Sequence, residues 1–248
     1  MKKLTRKLLI SVLSVALALV ALGTQTFAWF AMNDTVTASG MSVTVKSDQM
    51  FLLIQAGDHT ADEIQASKLL ADTAVTSSAV LLPAANDLTN SATTSTVEAT
   101  SGADLASWYY RASSDPDHYL GSSASAETAI AVAKKGEYIL INEFSLTVAD
   151  GSNDLANLKV DHVTIAKAGG DFAVKVLVAG TNGCEEFDED GGAGSVVLRT
   201  DNLTDTTVEK VKIYIYWDGN DTDVYTNGIA DLQNTTVTVT FTGETVVE

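Results

Sequence analysis

In the second half of this chain apolar residues recur at every second position, and that period suits one kind of element. Val211, Ile213, Ile215 and Trp217 alternate with Lys212, Tyr214 and Tyr216. Val237, Val239 and Phe241 alternate with Thr236, Thr238, Thr240 and Thr242, and Val174, Val176 and Val178 follow Phe172 in the same way. Within residues 138–148, Phe144, Leu146 and Val148 fall on one side, Ser145 and Thr147 on the other. Side chains of an extended strand point alternately to its two faces, so each run predicts a strand with one apolar face. Residues 158–165 keep the pattern but slip between Val160 and Val163, which predicts a bulge near Asp161 and His162. Residues 196–199 make a shorter strand, and turn signals such as Asp150-Gly151-Ser152 and Asp218-Gly219-Asn220 separate the runs.

The first half is less regular. Residues 35–45 alternate and predict a strand, residues 50–54 are continuously apolar and predict one buried on both faces, and a short helix is expected over 61–71. Leu81-Leu82-Pro83 suggests a strand edge stopped by proline. From about 86 to 128 the chain is rich in Thr, Ser and Ala with few large apolar residues, and it is expected to be a long loop insertion. Trp108-Tyr109-Tyr110 interrupts it, either anchoring the loop on the body or forming a platform for sugars. A second loop, acidic and glycine-rich, is expected over 180–195. Parallel crossovers need long helices between strands, and none is visible. The fold class that follows is all-β: an antiparallel two-sheet sandwich of jelly-roll or Greek-key type, with long loop insertions and one short helix.

The N-terminus carries a different signal. Lys2, Lys3, Arg6 and Lys7 precede an apolar run over 8–22, and Thr26-Phe27-Ala28 puts small residues at the two positions flanking a cut. That is the layout of a secretory signal peptide, residues 1–28, leaving one domain over 29–248. The apolar run, about 15 residues, falls short of the roughly 20 that span a bilayer core, so cleavage is preferred to a retained pilin-like anchor. Removing it leaves 11 basic against 32 acidic residues, a net charge of −21. Such a surface repels phosphates and excludes nucleic acid as a partner. Cys184 stands alone, so no internal disulfide is expected.

The residues behind Ala28 carry a family resemblance. The aromatic pair Trp29-Phe30, then Asn33-Asp34, then the step Ala38-Ser39-Gly40 into Met41, Val43 and Val45 resemble the start of the TasA/camelysin family. The resemblance covers residues 1–46; beyond them only the layout of an acidic, β-rich ectodomain is similar. It implies a secreted protein of a Gram-positive bacterium, cut by a dedicated signal peptidase around Thr26, Ala28 and Trp29. It also implies a homopolymeric fibre of the biofilm matrix, at the cell surface or beyond, with accessory matrix proteins as partners. Residues 29–45 would then add as a strand to a neighbouring subunit, with Trp29, Phe30, Met41, Val43 and Val45 filling pockets. The residues themselves show only an amphipathic strand, which could equally pair within its own subunit. The alternative function is an adhesin or carbohydrate-binding module carried by Trp108, Tyr109 and Tyr110.

Catalytic patterns are missing from the sequence. His59, His118 and His162 are never four apart, so there is no HExxH helix, and neither GxSxG nor a P-loop occurs. The acids beside Cys184 would raise its pKa rather than activate it. The expectation is a non-enzyme with no cofactor except calcium as a candidate: Asp218, Asn220 and Asp223 place three oxygen donors in one turn, without the glycine and distal glutamate of an EF-hand. Glu185, Glu186, Asp188, Glu189 and Asp190 form a second acidic candidate.

Overall fold

The computed structural model describes residues 51–69, 81–111, 127–166, 173–221 and 235–246. Its centre is a five-stranded antiparallel sheet of β1 (Leu52–Ala56), β6 (Leu140–Val148), β11 (Glu209–Trp217), β8 (Val174–Ala179) and β9 (Cys184–Phe187), in the order β1-β6-β11-β8-β9. A three-stranded sheet, β10 (Val197–Arg199), β7 (Leu155–Ala166) and β12 (Thr236–Thr245), forms the other half of a sandwich. The all-β antiparallel sandwich expected from the alternating runs is present. Successive strands repeatedly cross from one sheet to the other, as at β6 to β7 and β7 to β8, so the connections pin the two sheets together.

The alternation decides which residues fill the space between the sheets. Phe144, Leu146, Val176, Val178, Val211, Ile215 and Trp217 face Val160, Val163, Val239 and Phe241, all buried. Each such side chain contributes about 1.5–3 kcal/mol on leaving water. The predicted bulge is also present. Thr240 pairs with His162 and Phe241 with Val160, so Asp161 is the extra residue of β7.

The opposite face of the five-stranded sheet corrects the sequence reading in two ways. Residues 86–128 were expected as a loop, and β11 as half-buried. Instead β2 (Ala85–Asn86), β3 (Thr100–Ser101), β4 (Asp104–Arg111) and β5 (Glu127–Ala131) make a small antiparallel sheet centred on β4. Val97, Leu105, Trp108 and Ile130 pack with Leu177, Ala179, Cys184, Tyr214 and Tyr216 into a second core. The segment has too few large apolar residues for a core of its own, and it completes one with side chains of strands distant in sequence. The tyrosines of β11 are buried as a result. The architecture is therefore a sandwich with a third layer.

Smaller differences have local causes. The expected helix over 61–71 is Ala61–Ser67: Thr60 and Glu63 form a capping box at its start, and Lys68 takes a left-handed conformation (φ 51°) that ends it. Residues 138–148 begin as a helical turn, Lys135–Tyr138, before β6. Leu81-Leu82-Pro83 lies outside the strands, and Leu82 N–H donates to the Glu137 carbonyl at 2.7 Å. Part of the expected acidic loop is strand β9. Among the described residues no helix is long and apolar enough to cross a membrane.

Candidate functional site

Sheet edges are where a chain of this class can meet another copy, because an edge strand carries unpaired N–H and C=O groups. Two of the edges are covered. Ile54 N–H of β1 donates to the Leu69 carbonyl at 2.9 Å, just past the helix Ala61–Ser67. Cys184 N–H of β9 donates to the Asn90 carbonyl at 3.0 Å. The edge of β12 differs. Val163 spends its N–H and C=O on Gly192, at 2.7 and 2.9 Å. Val239 lies directly opposite Val163, so it is a non-hydrogen-bonded partner and turns its own N–H and C=O away from β7. Among the described residues no strand pairs with that side of β12. Val237, Val239 and Phe241 point into the core, while Thr238, Thr240 and Thr242 are half-buried on the outer face.

Gly191 helps to hold this arrangement. It sits at φ +67°, and a Cβ there would lie 2.1 Å from the Val163 carbonyl oxygen. Only glycine lets the turn after β9 approach β7 closely enough to occupy Val163.

The acidic turn is already engaged. Asp218 Oδ1 accepts from Asn220 N–H at 2.9 Å, and Oδ2 lies 3.2 Å from Lys175 Nζ. Asp223, the third candidate donor, lies outside the described residues, among which no group of three or more side chains is placed to hold a metal ion. Glu185, from the second acidic candidate, closes its loop by accepting from the N–H groups of Ser195 and Val196. Thr26, Ala28, Trp29, Phe30, Met41, Val43 and Val45 also lie outside the described residues.

Trp108 anchors the third layer. It is 1% exposed, its ring meets Tyr216 edge-on with centroids 5.0 Å apart, and its Nε1 donates to the Val97 carbonyl at 3.0 Å. A platform for sugars centred on Trp108 is therefore closed to solvent. Cys184 is buried in the same core, and burial first, then the charge of Glu186, pushes its thiol up to about 11.

A polar network beside that core was almost invisible in the sequence. Glu186 Oε2 accepts from Asn86 Nδ2 at 2.9 Å and takes a short hydrogen bond from the Tyr216 hydroxyl; Oε1 meets Lys175 Nζ at 2.8 Å. Burial raises the Glu186 carboxyl, but these donors outweigh it and hold the group below its ordinary range. Lys175 is held well above its ordinary value, because Glu186 and Asp218 outweigh the cost of its burial. The one hint was parity: Lys175, Glu186 and Tyr216 alternate with Val174, Val176, Phe187 and Trp217, so they fall on the face of the sheet away from the sandwich core.

The chain matches no family model, no curated protein and no solved structure. The functional reading therefore rests on the β12 edge, the charge, and the residues of the N-terminal segment.

Proposed function

We propose that this chain is a secreted structural subunit of an extracellular fibre or biofilm matrix, without enzymatic activity. Subunits are joined when residues 29–45 of one copy add as a strand along β12 of the next. The observation that carries this reading is the β12 edge, a ten-residue strand whose outward groups meet no strand among the described residues. Strand addition satisfies such groups through main-chain hydrogen bonds, and alternate side chains of the added strand supply specificity. Trp29, Phe30, Met41, Val43 and Val45 are the side chains suited to that role. Donor segment and acceptor edge are different surfaces, so the contact is head-to-tail and its repetition builds an open filament. The similarity of residues 1–46 to the TasA/camelysin family supports the same reading, and the strongly acidic composition suits an exported protein that stays soluble until it assembles.

Electron microscopy of protein beginning at Trp29, beside protein beginning at Gln49, tests the proposal. Filaments from the first and monomers from the second are expected. Filaments from both would remove the N-terminal strand from the mechanism, and monomers from both across salt, calcium and pH would remove the fibre role.

A further inference from the structure

The largest exposed apolar side chain among the described residues lies in an open cleft. Phe51, 54% exposed, precedes β1, and with Leu53 and Ala149 it gives an apolar lining to a space of about 630 Å³. Main-chain and amide hydrogen bonds fix the walls. Ala149 N–H donates to the Phe51 carbonyl at 2.8 Å. Gln65 ties the helix Ala61–Ser67 to the end of β6: its Nε2 donates to the Val148 carbonyl at 2.6 Å, and its Oε1 accepts from Asp150 N–H at 3.0 Å. Asp62, Asp150 and Lys68 also line the cleft and are exposed. Among the described residues no hydrogen bond or ion pair engages their charged groups. Two carboxylates against one ammonium leave a negative charge in excess over an apolar floor, which suits a group that joins a cation to an aromatic body. The cleft lies at the end of the sandwich where β12 finishes. Asp150 begins the turn from β6 into β7, and Asp154, four residues on, accepts from Val246 N–H at 2.9 Å just past β12. Four residues span at most about 14 Å.

We propose that this cleft receives the cut N-terminus of a neighbouring copy, the α-ammonium and side chain of Trp29, and thereby sets the direction of the added strand. The assignment rests on the reading that residues 29–45 add along β12. Asp62 and Asp150 take the charge, and Phe51 and Leu53 pack against the indole. Cations are scarce on copies of this chain, with 11 basic residues against 32 acidic ones once residues 1–28 are removed. The two carboxylates therefore select the terminus from a surface that otherwise repels them. Holding Trp29 beyond Thr245 makes the donor run antiparallel to β12, with Met41, Val43 and Val45 passing Phe241, Val239 and Val237 in turn. Residues 29–40 precede Met41 and span about 40 Å when extended, so the terminus reaches past the end of β12 to the cleft with slack. A parallel strand would carry Trp29 away from the cleft, to the Thr236 end. An uncut chain has no ammonium at Trp29, so the same cleft makes assembly wait for removal of residues 1–28.

Carbodiimide coupling of assembled fibres tests this, because it turns an ammonium–carboxylate contact into an amide with no spacer. Protein beginning at Trp29 is assembled from a mixture of isotope-labelled and unlabelled copies, coupled, digested and read by mass spectrometry. A peptide joining the Trp29 α-amine to Asp62 or Asp150, with its two halves from differently labelled copies, is expected. The double variant Asp62→Asn with Asp150→Asn should raise the concentration needed for fibre growth roughly tenfold, as the loss of two exposed charge pairs would. Hydrogen exchange of β12 in the same fibres separates this claim from the one it rests on. Fibres with β12 protected but Trp29 coupled elsewhere, or coupled only within its own copy, would overturn the cleft and leave strand addition standing. An unchanged threshold in the double variant would do the same. Fibres with β12 unprotected, or no fibres at all, would overturn strand addition and this assignment with it.

Discussion

On its sandwich side the five-stranded sheet presents mainly aliphatic residues, Val176, Val178, Val211, Ile213 and Ile215 with Phe144 and Trp217 among them, against Val160, Val163, Val239 and Phe241. On its other side it presents Tyr214, Tyr216 and Cys184 to Trp108 and Val97. Ion pairs lie at that rim, Lys212 with Glu98 at 2.8 Å and Lys175 with Glu186 at 2.8 Å. The first face is closed by long strands that each bring a whole row of apolar side chains. The second is closed by short elements that bring one or two each, so it depends on aromatic rings, and Trp108 and Tyr216 carry polar tips that find partners in the Val97 carbonyl and Glu186. An aliphatic core specifies itself through area alone, whereas the aromatic face needs both area and hydrogen bonds.

The largest expected effects separate these faces by truncation. Trp108→Ala should cost about 3–5 kcal/mol, as should Phe241→Ala in the sandwich. Their patterns of amide exchange should differ. Loss of Trp108 should release the amides of β4 while the β6–β11 ladder stays protected, and loss of Phe241 should lower protection throughout. If Trp108→Ala exposes both equally, the two faces are one cooperative unit and the contrast fails.

Next comes the charge buried where β11 begins. Glu209 is fully buried; it accepts from Thr181 N–H at 2.7 Å and pairs with Arg199 at 3.2 Å. Removing one partner strands the other, so Arg199→Met should cost about 3–5 kcal/mol in urea unfolding. A loss below 1 kcal/mol would show that the hydrogen bonds from Thr181 suffice.

The two glutamates should also make the faces respond oppositely to pH. Burial raises the Glu209 carboxyl above its ordinary 4.5, outweighing Thr181 and Arg199. Between the unfolded and folded values the native state binds more protons, so this group's contribution is full below pH 4.5 and falls as pH rises through the folded value. Glu186 is lowered, so its contribution is present above pH 4.5 and is lost as pH falls through its folded value. Thermal unfolding against pH should therefore lose part of its acid-side decline in Glu186→Gln. In Glu209→Gln it should lose part of its decline on the rising side. Equal slopes in both variants would refute the assignment.

The smallest effect lies outside both faces. Thr60→Ala removes half of the capping box over β1 and should cost about 1 kcal/mol, leaving both cores unchanged. A loss as large as that of Trp108→Ala would mean that the helix Ala61–Ser67 belongs to the core.

How much of this was legible follows from how each part is built. Val211 to Trp217 and Val237 to Phe241 announce their strands because one row of apolar residues meets one partner sheet. The bulge at Asp161 was legible for the same reason, since a slipped alternation has few other causes. The second core was hidden, because Val97 and Leu105 are isolated in a polar segment, and the partners of these residues and of Trp108 and Ile130, Leu177 and Tyr214 among them, lie far along the chain. Sequence periodicity reports local faces, and this core has none until the chain is folded. The Lys175, Glu186 and Asp218 group escaped similarly: the acids read as two separate cation-binding candidates, and folding alone joins them to the lysine. The β12 edge was half legible, since its alternation showed the strand while its place at the end of the sheet, with no strand beside it among the described residues, follows from the fold.

Hydrogen exchange of β12 in monomers and in assembled fibres tests strand addition most directly. The amide of Val239, turned away from β7, should exchange readily in the monomer and become strongly protected in the fibre, while the ladder between β6 and β11 stays unchanged. Fibres in which β12 gains no protection would contradict the account.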